Sequence, residues 1–253
     1  PEIARSLLAA GESKARLPFG KMLLLAILAG AYIALAGVGA TAAAVTVESG
    51  SLAKLLSACV FPAGLSMVIL AGSELFTGNC LMVMALLERR ITPAQLLRNW
   101  LTVYLGNAVG GAAVAALAVY SHTASLFGDG LARSMVSIAE SKAALGFGDA
   151  FLRGVLCNFL VCLAVWMAAA SKRAEGKVIA LFFPILLFVL CGYEHCIANL
   201  YYLPAGAFAA AEYGMETTLT LAGCLENLTA VTLGNLVGGA ALGVGYRFAY
   251  LKE

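Results

Sequence analysis

Three ionisable side chains lie inside segments of the sequence that are otherwise apolar. Glu74 is the only charged residue between 55 and 87, and Glu194 and His195 are the only ionisable residues between 178 and 211. Because such groups are costly to bury in a membrane, they usually have a function there. A neutral imidazole at His195 could donate a hydrogen bond to an anion, and a protonated one could also transfer a proton. The alternative is a structural histidine that bonds only a backbone carbonyl.

The other reactive residue types form no recognisable catalytic or metal site. The seven cysteines lie in apolar segments, have no Cys-x-x-Cys spacing and lack a nearby second histidine, so neither zinc nor a disulfide framework is indicated. No nucleophile has a base at a usable spacing, and no phosphate-binding glycine loop is present. The sequence predicts that the protein is not an enzyme and has no metal or cofactor. An intramembrane enzyme with Glu194 and His195 as an acid/base pair is the alternative.

The composition is that of a membrane protein. Of the 253 residues, 62% are hydrophobic and only 12% are charged, and the mean hydropathy is +0.91. A soluble domain has about a quarter of its residues charged. A soluble enzyme, a disordered chain, a secreted disulfide scaffold and a nucleic-acid binder are therefore excluded, and the lipid bilayer is the expected surrounding.

The charge-free segments predict six crossings of the bilayer, since one crossing takes roughly 20 residues. Two segments are too long for one straight helix, because at 1.5 Å per residue each would reach roughly 50 Å. We expect each of these two to be one crossing that is broken around its charged residues. The four simple crossings are 22–47, 99–121, 154–171 and 227–246, and the two broken ones are 55–87 and 178–211.

The basic residues predict the orientation. With six crossings, both termini lie on one side together with twelve of the sixteen basic residues, so the positive-inside rule places the termini in the cytoplasm and the chain in the inner membrane. The first twenty residues suit a short helix on the inner surface. The twelve are Arg5, Lys14, Arg16, Lys21, Arg89, Arg90, Arg98, Lys172, Arg173, Lys177, Arg247 and Lys252; Lys54, Arg133, Lys142 and Arg153 take the other side.

The sequence contains an internal duplication. SKARLPFG recurs as SKAALGFG, FP recurs as FP, GSELFTGN matches GYEHCIAN, and GNAVGG matches GNLVGG, all in the same order. Each half holds three crossings, an odd number, so the second half must be inverted relative to the first. This arrangement favours a substrate path between the halves, with the broken helices meeting near the midplane. We expect one transmembrane channel domain over 1–253, with repeats at about 13–120 and 141–249.

Three motifs resemble those of the formate/nitrite transporter family: SELFTGN at 73–79, GYEHCIAN at 192–199 and GVLCNFLVCLAVW at 154–166. The resemblance extends over essentially the whole chain. It implies an all-α, aquaporin-like fold of six crossings, a homopentamer with one pore in each subunit, and a small anion such as formate, nitrite, hydrosulfide or lactate as substrate. The residues of the LFTGN and EHCIAN motifs resemble those of the family's hydrosulfide branch most.

The same resemblance implies individual pathway residues. Lys14 and Lys142 correspond to the family's vestibule lysines, and residues 75–79 match its mobile loop in the second crossing. The polar centre would be formed by Thr77, Asn158 and His195. The residues that would narrow the pore are Phe61 and Phe188 on the periplasmic side, and Leu65, Leu75, Phe76 and Val161 on the cytoplasmic side.

Glu74 and Glu194 are expected to have structural roles, because a carboxylate in the passage would repel anions. We expect both to point sideways and either to satisfy freed backbone N–H groups or to hold the helix break, as an N-cap does. Four asparagines recur in the repeats and are assigned to the fold as well: Asn79, Asn199, Asn107 and Asn235.

The residues suggest how an anion could pass. The repeat places Lys14 and Lys142 at opposite membrane faces, which favours anion attraction, whereas one lysine alone would be an interfacial residue. A bare ion in dry surroundings costs several kcal/mol, about 20 in the idealised limit. The anion of a weak acid can instead take a proton and cross neutral, because its pKa rises as it is dehydrated. Transport would then be linked to protons at His195. The alternative is an aquaporin-like channel for neutral solutes, whose paired Asn-Pro-Ala motifs are absent here.

Overall fold

A computed structural model describes residues 2–251, and helices are the only regular structure in that range. The all-helical prediction is therefore confirmed for these residues. Lys252, which was counted among the cytoplasmic basic residues, lies outside the described part. The helices are α1 (Glu2–Ala15), α2 (Phe19–Ala44), α3 (Gly50–Val60), α4 (Pro62–Ala71), α5 (Phe76–Asn79), α6 (Val83–Leu87), α7 (Pro93–Tyr120), α8 (Gly130–Ala143), α9 (Phe147–Ala169), α10 (Ala174–Leu190), α11 (Cys196–Glu212) and α12 (Leu221–Tyr250), with 3₁₀ turns at Cys80–Met82 and Thr123–Ser125.

Five helical stretches in residues 2–251 are long and apolar enough to cross a membrane. They are Phe19–Ala44, Gly50–Ala71, Pro93–Tyr120, Phe147–Ala169 and Leu221–Tyr250. The sixth predicted crossing, 178–211, is divided into α10 and α11. Each of these has 17 residues, fewer than the roughly 20 that one straight crossing takes.

The helices begin earlier than the charge-free segments predicted. We expected a crossing from 99, directly after Arg98, but α7 begins at Pro93. Thr92 and Gln95 form a capping box there, which satisfies the first free N–H groups of the helix. The cap decides where the helix starts, and a long basic side chain inside it can still reach the membrane surface.

The internal duplication is visible in the helices. α8, α9 and α12 each begin 128 residues after α1, α2 and α7. α2 packs against α7 and α9 packs against α12 through glycines at matching positions. A Cβ atom on Gly110 would lie 1.9 Å from the carbonyl oxygen of Ile27, and one on Gly238 would lie 2.1 Å from that of Val155. Each helix pair is therefore in backbone contact, as small residues allow in membranes.

Both long apolar segments are interrupted where the charged residues stand. Gly72 ends α4 and Gly192 follows α10, with left-handed φ angles of 74° and 70° that favour glycine. The chain then runs extended to Leu75 and His195, which are the N-cap residues of α5 and α11. The first segment is also divided at Pro62, where α4 begins.

The first helix, α1, packs one face against the rest of the protein. Ala4, Leu8 and Ala15 of α1 are buried in one cluster with Met84 and Ala85 of α6. The sequence predicted a helix that lies on the membrane surface. In the structure its apolar face is covered by the segment that follows the first break.

Candidate functional site

Two cavities open on opposite sides of a closed centre. The first, here called the Lys142 vestibule, has a volume of about 360 Å³. The second, called the Lys14 vestibule, also has about 360 Å³. The Lys142 vestibule is lined by Thr41, Lys54, Ser57, Phe61, Ser137, Ile138, Ser141, Lys142, Leu145, Arg153, Phe188, Val189, Gly192, Tyr193, Glu194, His195, Ala198 and Tyr202. The Lys14 vestibule is lined by Ala10, Ser13, Lys14, Leu65, Val68, Ile69, Gly72, Ser73, Glu74, Leu75, Gly78, Asn79 and Val165.

A small central cavity lies between the two vestibules. Its volume is about 10 Å³, at the lower limit for holding a single water molecule. It shares Leu65 and Leu75 with the Lys14 vestibule, and Phe61, Phe188 and His195 with the Lys142 vestibule. The remaining lining residues are Ile33, Val161 and Ile185. The three cavities therefore form one line that is closed by apolar side chains.

Two phenylalanines close the side toward the Lys142 vestibule. The rings of Phe61 and Phe188 meet edge to face, with centroids 5.7 Å apart and planes at 86°. The ring of Phe188 also stacks on His195, with centroids 5.8 Å apart and planes at 20°. Such aromatic pairs are favourable beyond the burial of their surface. The phenylalanine constriction and the histidine are thus one packed unit.

His195 is held through both of its ring nitrogens. Nδ1 accepts the backbone N–H of Ala198 at 3.0 Å, which caps α11. Nε2 lies 2.9 Å from Oγ1 of Thr77. A neutral imidazole that accepts at Nδ1 carries its proton on Nε2, so His195 donates to Thr77. The hydroxyl proton of Thr77 then remains available to another acceptor, and protonation of Nδ1 would break the cap.

Asn158 lies behind Thr77, and the central cavity is not lined by it. Its Nδ2 donates to the carbonyl oxygen of Thr77 at 3.2 Å and to that of Asn235 at 2.7 Å. Cys162 also donates to the Thr77 carbonyl, through Sγ at 3.3 Å. Both amide protons of Asn158 are thereby used on backbone. In the structure, Asn158 therefore positions Thr77.

Phe76 points away from the line of cavities. Its ring packs edge to face against Tyr104 at 5.1 Å and Trp100 at 6.3 Å between centroids. The neighbouring Leu75 lines both the central cavity and the Lys14 vestibule. Of these two adjacent residues, the structure brings only the leucine to the constriction.

The carboxylate at the second break is paired with the vestibule lysine. Lys142 Nζ donates to Glu194 Oε1 at 2.9 Å and to Oε2 at 3.0 Å. Asn199 Nδ2 donates to Glu194 Oε2 at 2.7 Å and to Asn227 Oδ1 at 2.8 Å. Asn227 Nδ2 closes the ring on the carbonyl oxygen of Lys142 at 2.8 Å. The ion pair is therefore part of a closed polar network.

The first break carries the same network. Lys14 Nζ donates to Glu74 Oε1 at 2.6 Å, and Asn79 Nδ2 donates to Glu74 Oε2 at 2.7 Å. Asn79 Nδ2 also lies 2.9 Å from Asn99 Oδ1, and Asn99 Nδ2 lies 3.4 Å from the carbonyl oxygen of Lys14. The glutamates thus accept from lysine and asparagine side chains. Of the two roles expected for the glutamates, acceptance of freed backbone N–H groups is not seen within residues 2–251; that they hold the breaks stays a prediction.

Two asparagines on α7 and α12 take the freed backbone groups. Asn107 Oδ1 accepts the N–H of Phe76 at 3.0 Å, and Asn235 Oδ1 accepts the N–H of Cys196 at 2.9 Å. The Nδ2 groups of both donate to carbonyl oxygens of the breaks, those of Glu74 and Glu194, each at 2.9 Å. Each break is therefore satisfied from a neighbouring helix, as buried backbone in a membrane requires.

The signal for these pairings was present in the duplicated sequence. Asn99 and Asn227 are separated by the same 128 residues as the helices that carry them. They were not singled out, because they lie outside the four matching motifs. A search for repeated polar residues in the apolar helices would have found them.

Comparison with known proteins identifies the relatives of this chain. The model of the formate/nitrite transporter family matches residues 1–249. A probable formate transporter of Methanothermobacter thermautotrophicus is 38% identical, over 100% of this chain and 97% of that protein. The formate channel FocA of Haemophilus influenzae is 39% identical, over 88% of this chain and 84% of that protein.

Two solved structures have the same fold. One, titled an FNT family ion channel, superposes with a TM-score of 0.87 at 32% identity and covers 98% of both chains. The other is titled a pentameric formate channel with formate bound. It superposes with a TM-score of 0.81 at 33% identity, covering 92% of this chain and 98% of that one.

Proposed function

Since this chain belongs to the formate/nitrite transporter family, we propose that it is a transmembrane channel for small monovalent anions of weak acids. Formate is the first substrate to test, because the relatives reported above carry formate in their names; nitrite and hydrosulfide follow. The observation that carries the proposal is the line of cavities. Within residues 2–251, His195 is the only polar residue that lines its closed centre, and Thr77 stands behind it.

The proposed arrangement in the membrane is six crossings in two inverted repeats, about 13–120 and 141–249, within a single aquaporin-like domain. The second and fifth crossings are the ones interrupted at Gly72 and Gly192. The equal spacing of α1, α2 and α7 from α8, α9 and α12 supports the duplication. The termini face the cytoplasm, and the Lys14 vestibule opens there. The similar solved structure that is titled a pentameric formate channel supports a homopentamer for this chain.

The closed centre favours passage of a neutral molecule. A cavity of about 10 Å³ lined by phenylalanine, leucine, isoleucine and valine leaves no room for a hydration shell. A bare ion there would cost several kcal/mol. The pKa of a weak acid rises in such surroundings, so the anion takes up a proton before the constriction and releases it beyond. Flux then couples to the proton gradient.

His195 serves in this proposal as a hydrogen-bond donor. Its Nδ1 is occupied by the Ala198 N–H, so the ring is held neutral with its proton on Nε2. In passing, the substrate replaces Thr77 as the acceptor of that proton, and the Thr77 hydroxyl supplies a second donor. The proton that travels with the substrate comes from the vestibule water, and the ring itself keeps its cap.

The vestibule lysines have a reduced role in attraction. Because Lys14 pairs with Glu74 and Lys142 pairs with Glu194, each pair is formally neutral. Both members of each pair line the vestibule, and of the two groups the lysine ammonium is the one that can donate to an anion. The pairs therefore orient an anion locally, while a long-range field needs charges outside them.

The proposal is tested by flux measurements in proteoliposomes. Uptake of formate, nitrite, hydrosulfide and chloride is compared at a fixed membrane potential, with and without an imposed pH gradient. We expect the three weak-acid anions to accumulate with the proton gradient and chloride to stay near the rate of empty liposomes. Flux that follows the charge gradient alone refutes neutral passage. Swelling in glycerol above that of empty liposomes favours the neutral-solute channel instead.

A further inference from the structure

The two vestibules differ in charge although the repeats that build them match. Among residues 2–251, the charged residues that line the Lys142 vestibule are Lys54, Lys142, Arg153 and Glu194, with a formal sum of +2. Those that line the Lys14 vestibule are Lys14 and Glu74, with a sum of zero. The difference comes from two cations that belong to one side only.

Both additional cations are held on elements that face the Lys142 vestibule. Lys54 stands on α3 with Ser57 and Phe61 at three and seven positions further, so the three share a helix face that lines the cavity. Arg153 stands on α9, where its carbonyl oxygen accepts the N–H of Glu194 at 3.3 Å. The backbone of this residue is thereby fixed beside the second break.

The first repeat has no arginine at the equivalent position. There the carbonyl oxygen that accepts the N–H of Glu74, also at 3.3 Å, belongs to Leu25. Leu25 and Arg153 occupy the same place in the duplicated backbone and differ in the side chain. The charge of Arg153 is therefore an addition to the scaffold and is not needed to build it.

Among the described residues, these two cations are the charged groups of the cavity lining that form no ion pair. Lys142 is used on Glu194, whereas the part of the chain described here gives neither Lys54 nor Arg153 an ion-pair partner. Three hydroxyls of the lining donate to backbone carbonyls: Thr41 to Gly37 at 2.8 Å, Ser57 to Ala40 at 2.7 Å and Ser141 to Ser137 at 2.8 Å. An anion in this cavity would thus find its unpaired charged donors on Lys54 and Arg153.

We propose that Lys54 and Arg153 form a binding site for a divalent oxyanion of the sulfate class in the Lys142 vestibule. A guanidinium offers two parallel donors to such an oxyanion, and the ammonium adds a point charge. A divalent anion gains twice the attraction of a monovalent one from a vestibule of this charge. At neutral pH sulfate takes up no proton, so it does not pass the constriction of Phe61 and Phe188. It blocks from one side only.

The site is tested first by binding, which does not depend on transport. Binding of radiolabelled sulfate to the purified protein is measured at constant ionic strength. We expect Lys54→Gln and Arg153→Gln each to weaken it about fivefold and the double variant about twenty-five-fold, as for removal of partly exposed charges. Lys54→Arg should retain binding. Lys172→Gln, which removes an exposed charge outside the vestibules, is the matched control. Equal binding by wild type and the double variant overturns the proposal.

The blocking step rests on the proposed function and is tested by formate flux. Orientation in proteoliposomes is measured by cleavage of an N-terminal tag, and sulfate is added to one face at a time. We expect inhibition only from the face opposite the N-terminus, and loss of it in the double variant. Inhibition from both faces, or flux that sulfate leaves unchanged, overturns the step.

Two further outcomes keep the hypotheses apart. Sulfate binding that depends on Lys54 and Arg153, in a protein that transports no formate, would refute the proposed function and support the sulfate site. Sulfate binding and block that disappear when the liposomes contain anionic lipid would assign Lys54 and Arg153 to a lipid headgroup, and would overturn the site for a free anion.

Discussion

Replacement of His195 by asparagine separates the two contacts of this residue. The histidine caps α11 through Nδ1 and reaches Thr77 through Nε2. Asparagine is among the best N-cap residues, and its Oδ1 can accept the N–H of Ala198. Its side chain is too short to reach Thr77 across the cavity. His195→Asn should therefore keep the fold and remove the polar group from the closed centre.

The expected magnitude follows from the number of hydrogen bonds lost. A hydrogen bond between neutral groups contributes about 0.5–1.5 kcal/mol, and each 1.36 kcal/mol is a factor of ten in rate. If the imidazole N–H stabilises the neutral substrate at the narrowest point, His195→Asn should lower formate flux by roughly 2-fold to 13-fold. His195→Leu, which imitates the equivalent Leu75, should lose the same flux and also the cap, at about 0.5–2 kcal/mol of stability.

The assay pairs flux with stability. Formate efflux is measured in proteoliposomes with equal amounts of protein, and thermal unfolding is followed in detergent for the same preparations. Thr77→Ser, which retains the hydroxyl, should lose less flux than Thr77→Val. Wild-type flux in a stable His195→Asn protein would refute the role of the imidazole. A His195→Asn protein as unstable as His195→Leu would refute the assignment of the cap.

Four other substitutions test the structure around this centre. Gly238→Ala should cost about 1–3 kcal/mol of stability, because its Cβ would lie 2.1 Å from a carbonyl oxygen. The control is Gly245→Ala, whose Cβ would meet nothing within 4 Å. The two variants are compared by thermal unfolding. Lys142→Met and Glu194→Gln should each cost about 3–5 kcal/mol by leaving one charge of a buried pair unmatched, and a double-mutant cycle should show a smaller loss for the pair of changes than for their sum. Phe188→Ala should raise chloride leak in liposomes by opening the aromatic constriction, and unchanged leak would remove Phe188 from the barrier.

The location of the breaks could be predicted because their signal is local. A charged residue in the middle of an apolar segment that is too long for one crossing marks an interruption, and the structure has left-handed glycines at Gly72 and Gly192. The exact helix starts could not be predicted in this way. Thr92 and Thr220 cap their helices ahead of the charged residues that ended the apolar segments.

The pairings inside the site were beyond reach of the sequence pattern because they join distant elements. Lys142 and Glu194 are 52 residues apart, and Cys196 and Asn235 are 39 apart. Residue type predicted that each glutamate needs a partner but did not say which. The direction of the Phe76 side chain could not be predicted either. The helix α5 has only four residues and therefore shows no periodicity that would separate its inner face from its outer one.

The duplicated backbone separates what the fold requires from what the chemistry requires. Leu75 and His195 are matching N-cap residues with almost the same backbone angles, φ −113° and ψ 123° against φ −114° and ψ 113°. The Lys–Glu pairs and the asparagines that satisfy the breaks occur in both halves, so they are accounted for by the scaffold. The imidazole occurs in one half only, and its partner Thr77 is matched by the apolar Ile197. Selection for a symmetric scaffold does not explain these differences, whereas a single polar contact in an otherwise apolar constriction does.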